Sequence, residues 1–341
     1  MNYDAILLVS FGGPEKNADV LPFLENVLSG RNVPRERMLS VAEHYYQFGG
    51  KSPINDQNRA LIAALEIELS MHGINLPIYW GNRNWHPMLA ETLAQMKVDG
   101  IRRALAFVTA SYSSYSSCRQ YRENISESQL ATGTGAPQID KIRAYFNHPG
   151  FIDAMIDRTR HAFESLPPEL RHDAHVVYTA HSIPTSMADS CKYVEQLTEA
   201  SRLVSERLGR SGDPLVFQSR SGPPTQPWLE PDILDHLRTI RSAGAKSVVI
   251  VPIGFVSDHM EVIYDLDTQA RDLCAELGMK MARAGTVGTH PWFVRMIREL
   301  IEERLVDSQH RPALGQLGPS HDACPLDCCP APIRPIAPTT K

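Results

Sequence analysis

An α/β fold of two lobes, each a parallel sheet flanked by helices, is what this sequence predicts, and three observations predict it. Short apolar runs bounded by Gly, Pro or Ser recur along the chain, most of them separated by longer stretches with helical spacing. The alternation occurs twice, around a boundary near residues 147–168. At 341 residues the chain is too long for one small core and fits two domains of ordinary size. The resulting division is a first lobe over 1–150, a second over 151–307 and a tail over 308–341.

The first strand is Ala5–Phe11, a run that stops at Gly12-Gly13-Pro14. Pro77–Trp80 and Ala104–Thr109 follow, with helix-like Ala60–Ile67 and Leu89–Met96 around them. The second lobe opens on the helical pattern Phe151–Phe163. It then alternates His175–Ala180, Tyr193–Leu208, Leu215–Gln218, Ile233–Ile240, Ser247–Pro252 and Met281–Ala284, and closes on the amphipathic Trp292–Leu305. Short strands joined by helices make parallel βαβ units, so each lobe reads as Rossmann-like. Beyond that last helix the composition changes to Pro, Ser, Gly and Cys, with Pro325, Pro330, Pro332, Pro335 and Pro338 all following Cys324. Such a tail buries too little apolar surface to order itself, so it is either stapled down or disordered.

Hydrophobic content of 43%, charged content of 21% and a net charge of -5 describe a soluble globular chain and give no reason to expect nucleic acid. The longest buried-looking run, Val248–Val256, falls far short of the roughly 18 apolar residues of a membrane span. Met1-Asn2-Tyr3-Asp4 has no basic segment of the secretory kind, so the cytoplasm is the expected compartment. Six cysteines are few for a disulfide scaffold of this size. Cys324, Cys328 and Cys329 crowd the last 18 residues, and in a reducing compartment such clustering points to metal.

The polar payload sits at strand ends. In an open parallel sheet, ligands bind beyond the carboxyl ends of the strands, which is where the pattern delivers His181 and, after the run ending at Val256, Glu261. An isolated histidine at a strand end is more often structural, and an acidic series such as Asp258, Glu261, Asp265 and Asp267 is more often a solvated helix face. The spacing of Asp258, Glu261 and Asp265 places them on one side of a helix, as an acidic track for a cation leading toward an imidazole. Phe11-Gly12-Gly13-Pro14 permits a tight turn but lacks the Gly-x-Gly-x-x-Gly spacing, which disfavours a dinucleotide-binding oxidoreductase.

Taken together, Phe11-Gly12-Gly13-Pro14, Gly49-Gly50-Lys51-Ser52-Pro53, His181-Ser182-Ile183-Pro184, Gln218-Ser219 with Pro227-Trp228-Leu229, and Gly254–Glu261 resemble the ferrochelatase family, in order from residue 4 to about 305. Cys118 and the tail further resemble its actinobacterial branch, whose members act on coproporphyrin III and often carry a [2Fe-2S] cluster. The resemblance implies insertion of Fe²⁺ into coproporphyrin III in a cleft between the lobes, with coproheme passing to a downstream enzyme of haem synthesis. His181 is then the base or iron ligand facing the macrocycle, and Glu261 its partner in handling iron or protons. Phe11 packs on the ring, Tyr45, Ser52 and Tyr121 hydrogen-bond propionates, and Arg31 pairs with one. Ser52 and Tyr121 match porphyrin contacts of the family.

The same resemblance implies that Cys118, Cys324, Cys328 and Cys329 supply the four thiolates of the cluster, although zinc suits the same donors. Cys191 and Cys274 fall in helix-like segments and read as inert. A chelatase for protoporphyrin IX and a porphyrin or haem carrier are the competing functions. A carrier needs no base opposite the metal, so the presence of both His181 and Glu261 favours the enzyme.

Overall fold

The computed structural model describes residues 2–30, 33–222 and 225–331. In the first lobe the order is β1 (Ala5–Ser10), α1 (Val20–Leu28), α2 (Arg35–Tyr46), α3 (Ile54–Met71), β2 (Ile78–Asn82), α4 (Leu89–Val98), β3 (Arg103–Val108), α5 (Gln120–Thr132) and β4 (Gln138–Lys141). The second runs α6 (Pro149–Ser165), α7 (Pro168–Arg171), β5 (His175–His181), α8 (Thr185–Ala188), α9 (Tyr193–Arg207), β6 (Leu215–Gln218) and α10 (Ile233–Ser242). It continues with β7 (Ser247–Val251), α11 (Met260–Tyr264), α12 (Arg271–Glu276), β8 (Lys280–Arg283) and α13 (Pro291–Leu305).

Each lobe holds one four-stranded sheet, ordered β2-β1-β3-β4 and β6-β5-β7-β8, with parallel pairing throughout. The two orders are the same, so the alternation seen twice in the sequence is a repeated topology. Central strands β1 and β7 are buried at every position, which is why they read as continuous apolar runs. β4 escaped the sequence pattern because an edge strand has one covered side, and its residues Gln-Ile-Asp-Lys are half-buried or exposed.

One contiguous core crosses both lobes, joining Ile6, Leu8 and Phe107 of the first to Phe151, Val176, Tyr178 and Phe293 of the second. The connection is made by α13, which packs on α6 and returns to α3. Beside it Arg143 donates two hydrogen bonds to the Glu303 carboxylate, at 2.9 and 2.8 Å, in a fully buried fork. Tyr112, just beyond β3, donates to the Ile253 carbonyl at 2.9 Å and ties the strand-end loops of the two lobes together.

The tail is stapled, and by polar groups. Arg143 donates to the Pro312 carbonyl, and the Asn147 amide to those of Leu314 and Gly318. Glu199 accepts from the Gln316 N–H. Arg119 and Arg122, three residues apart at the start of α5, donate to the carbonyls of Leu326 and of Cys324 and Pro325. Backbone-directed hydrogen bonds thus add to the small apolar contact that Leu314 and Leu317 make with the core.

Candidate active site

The site lies where the carboxyl ends of β1, β5, β6 and β7 face one another across the lobes. Gly254, just past β7, has no room for a side chain, since a Cβ there would lie 2.6 Å from the Ala180 Cβ. This close approach brings the loop that follows β7 against the end of β5. His259 then caps α11, its Nδ1 accepting from the Glu261 N–H at 3.2 Å, and so sets Glu261 in the first turn. His181 is the last residue of β5, its carbonyl held by the Tyr193 hydroxyl at 3.0 Å.

His181 Nε2 and Glu261 Oε1 are 3.4 Å apart, with 30% and 46% of their side chains exposed to the cleft. His181 Nδ1 is hydrogen-bonded to the Ser182 carbonyl. A carbonyl only accepts, so Nδ1 carries a proton, and the nitrogen facing the carboxylate is the one that gains or loses charge. Burial pushes the imidazole pKa down, but Glu261, the Ser182 carbonyl and Asp265 outweigh it and raise the value to about 9. Glu261 moves oppositely: burial raises its pKa, while His181 and His259 bring it down to about 2. The pair therefore rests as imidazolium and carboxylate at neutral pH.

Next to it lies a third carboxyl. Asp265 begins a π-turn over Asp265–Ala270, a distortion common at functional sites. It accepts from the Ser219 hydroxyl and, at 3.4 Å, from the Gln218 amide, which also donates to the Glu261 carbonyl at 2.8 Å. Burial and Glu261 hold its pKa up, at about 6, against the lowering effect of Ser219. The acidic track is thus Glu261 and Asp265 without Asp258. The helix starts only at Met260, and Asp258 pairs with Arg283 at 3.1 Å, as does Asp267. Paired by that arginine, those two carboxylates are no part of the track.

The opposite wall comes from the first lobe. Gly12 has a φ of 80° and would place a Cβ 2.8 Å from that of Asn82, so only glycine fits the turn after β1. Phe11 stands edge-on to Phe23 at 6.2 Å, and Phe23 edge-on to Tyr45 at 5.7 Å. Tyr45, on α2, lies near enough to Glu261 that burial and that carboxylate push its phenol pKa well up. His44 stacks on Tyr264 of α11, with centroids 3.7 Å apart, so α2 reaches across the cleft. Ser52 and Tyr121 are only 2% and 4% exposed, so a propionate reaches them only if neighbouring side chains move. Arg31 lies outside the described residues.

Arg83, absent from the sequence reading, is the cation that organises this wall. Its guanidinium lies 4.5 Å from the Tyr121 ring and 5.7 Å from the Phe11 ring, and donates to Asn124 and to the Ser116 carbonyl. Nothing in its local sequence marks it, because all of its partners are distant in the chain.

Ser116 belongs to a second π-turn, Tyr115–Arg119, which carries Cys118. The neighbouring Cys324 thiol brings the Cys118 pKa down against burial, and Lys141 and Arg122 add to the effect. The sulfur atoms of Cys328 and Cys329 are 3.6 Å apart, a convergence that adjacent residues reach because Cys329 takes a left-handed φ of 51°. Cys191 lies in a bend before α9 rather than in a helix, with its sulfur within electrostatic reach of Cys328. Cys274 is buried in α12, and burial raises its pKa to about 11.

Residues 3–305 match the family model Ferrochelatase. The ferrochelatase of Rhodopirellula baltica is 59% identical over 328 residues, covering 96% of this chain and 93% of its own. The coproporphyrin III ferrochelatases of Streptomyces coelicolor and Nocardia farcinica are 51% and 49% identical, covering 96% and 99% of this chain and 94% and 99% of theirs. Among solved structures, SirB of Bacillus subtilis with Fe³⁺ superposes with a TM-score of 0.55 at 12% identity, over 89% of this chain and 98% of that one. At that identity the likeness is one of fold.

Proposed function

The chain belongs to the ferrochelatase family, and we propose that it inserts Fe²⁺ into coproporphyrin III, releasing coproheme and two protons. The observation that carries this is the His181–Glu261 pair, 3.4 Å apart on one side of the cleft, the first at the end of β5 and the second in the first turn of α11. The choice of porphyrin is supported by the coproporphyrin III ferrochelatases at about half identity along nearly the whole chain.

Insertion has to strip water from Fe²⁺ and two N–H protons from the pyrroles. An imidazolium cannot accept a proton, so His181 becomes a base only when the charge that holds its proton is cancelled. Fe²⁺ arriving at Glu261 supplies that cancellation: the cation occupies the carboxylate, the Nε2 proton leaves, and a neutral imidazole is exposed to the macrocycle. Asp265, poised near pH 6 beside Glu261, accepts that proton and passes it to solvent. Metal delivery and base activation are thus one event. Phe11 supplies an apolar wall for the ring, the Tyr45 hydroxyl a donor for a propionate, and Arg83 a cation for one.

The donor set Cys118, Cys324, Cys328 and Cys329 fits a [2Fe-2S] cluster: Cys118 and Cys324 are close enough for each to shift the other's thiol, and Cys328 and Cys329 already converge. When bound, it would add one-electron chemistry of its own. The residues themselves would cross-link the tail to the first lobe. Among the described residues no helix is long and apolar enough to cross a membrane, and a cytoplasmic enzyme handing coproheme to a following enzyme of haem synthesis is the setting we propose. Anaerobic incubation with Fe²⁺ and each free-base porphyrin, followed at the Soret and Q bands, tests the activity. No spectral change with either porphyrin overturns it.

A further inference from the structure

Metal donors in the tail outnumber those a two-iron cluster takes. His321, Cys324 and Cys328 hold one imidazole nitrogen and two sulfur atoms within 4.8 Å of one another, a group that includes neither Cys118 nor Cys329. Burial sorts the donors in the same way. Cys118 and Cys329 are buried, Cys324 and Cys328 half-buried, and His321 exposed. Cys324 and Cys328 therefore stand between an inner set against the first lobe and an outer set open to solvent.

We propose that His321, Cys324 and Cys328 form a mononuclear site for a divalent transition metal of the Zn²⁺ and Fe²⁺ class, distinct from the four-thiolate set that needs Cys118. Imidazole and thiolate are the donors such borderline ions prefer. A tetrahedral ion with sulfur at about 2.3 Å and nitrogen at about 2.0 Å holds its donors roughly 3.5–3.8 Å apart. Atoms already within 4.8 Å close that gap by moving about 1 Å. The shift breaks no helix or strand, since residues 308–331 form neither, and it has the Arg119 and Arg122 bonds to the Cys328 and Cys324 carbonyls to accommodate. On binding, two S–H bonds break, two metal–sulfur bonds form, and two protons pass to solvent, while His321 gives a neutral lone pair. The fourth position faces solvent, so the ion exchanges.

The mononuclear site shares Cys324 and Cys328 with the four-thiolate set, so it forms in protein that lacks the cluster, and variants of the full-length protein separate the two. Reduced, metal-free protein is titrated with Co²⁺, whose sulfur-to-cobalt charge-transfer bands and intense visible bands report tetrahedral thiolate binding. Cys118→Ser protein is expected to bind one Co²⁺ with these bands. Adding His321→Ala to Cys118→Ser is expected to weaken Co²⁺ binding about tenfold or more, while His321→Ala alone, once reconstituted, keeps wild-type iron and acid-labile sulfide. Cys118→Ser protein that shows no such bands, or a double variant that binds Co²⁺ like Cys118→Ser, overturns the proposal. Loss of sulfide in His321→Ala also overturns it, because the imidazole would then belong to the inner set. The cluster reading stands or falls on the sulfide content of Cys118→Ser and not on Co²⁺.

Discussion

His181 Nε2 faces Glu261 Oε1 at 3.4 Å, and each residue sets the charge of the other. A base held as its conjugate acid is inert until its counter-charge is taken, so the pair couples arrival of a cation to release of a proton. That coupling makes the order of events measurable.

Glu261→Gln removes the charge that holds the His181 proton and leaves the Ser182 carbonyl and Asp265 alone to oppose burial. The imidazole pKa is expected to fall from about 9, as read by NMR of the ring carbons. The pair also contributes to stability in a defined window. The raised His181 contributes fully below pH 6.5 and loses its contribution as pH rises through about 9. The depressed Glu261 contributes above pH 4.5 and loses it as pH falls through about 2. The Tm difference between wild type and Glu261→Gln should therefore be largest between those ordinary values and shrink toward alkaline pH. A difference that grows above pH 9 contradicts the assignment.

His181→Ala is expected to lower iron insertion by about 10²-fold or more, the range for loss of a proton acceptor, while porphyrin binding changes little. Porphyrin fluorescence quenching measures the second quantity independently of the first. Equal losses in both would mean that His181 shapes the cleft rather than serving the reaction.

Arg119 and Arg122 hold the tail through carbonyls of residues 324–328. Replacing both with alanine should free that segment from α5, so that limited proteolysis cleaves between residues 319 and 331 faster than in wild type, and reconstituted iron and sulfide fall. Unchanged cleavage would show that the cysteines alone anchor the tail.

Much of this arrangement was legible in the sequence, for physical reasons that also explain the exceptions. Strands buried on both faces leave unbroken apolar runs, so β1, β5 and β7 announce themselves, and with them the strand end that carries His181. Polar helices give no such signal: α2 buries only Met38 and Ala42, yet it carries Tyr45 and His44 across the cleft. Asp258 falls outside the acidic track, because it precedes the start of α11, where helical spacing does not apply, and Arg283 takes its charge. Arg83 and His259 escaped as site residues, the first through long-range partners and the second because capping is read only once the helix start is known.

The Arg143–Glu303 fork makes a prediction about stability. Its side chains are 1% and 7% exposed, and it joins the connection into the second lobe, α13 and the tail. Glu303→Ala leaves a buried guanidinium without its counter-charge, a loss of about 3–5 kcal/mol. Arg143→Met combined with Glu303→Leu removes both charges and should be less destabilising than Glu303→Ala alone. Chemical denaturation of the variants checks the ranking, and a double variant less stable than the single one would show that the fork's hydrogen bond to Pro312 matters more than its charge.

Coproporphyrin III should be preferred over protoporphyrin IX. Its two additional propionates make it more anionic and more soluble, so it suits a mouth with polar and cationic groups rather than an apolar lip. Residues 23–38, the segment we place at that mouth, carry among their described residues Asn26, Arg35 and Arg37, and Asn26 donates to the Asn84 carbonyl at 3.2 Å, next to Arg83. Arg83 itself is partly exposed between Phe11 and Tyr121 and is placed to meet a carboxylate. Arg83→Met keeps the stem's packing and removes the charge, so KM for coproporphyrin III should rise by about tenfold, the cost of one charge-assisted contact. With protoporphyrin IX, which has fewer carboxylates to place, the loss should be smaller. Steady-state kcat/KM for both porphyrins in detergent-free buffer, wild type against Arg83→Met, decides the matter. A wild-type preference for protoporphyrin IX would overturn the choice of substrate, and an equal loss for both porphyrins would reduce Arg83 to a scaffold for the Phe11 and Tyr121 rings.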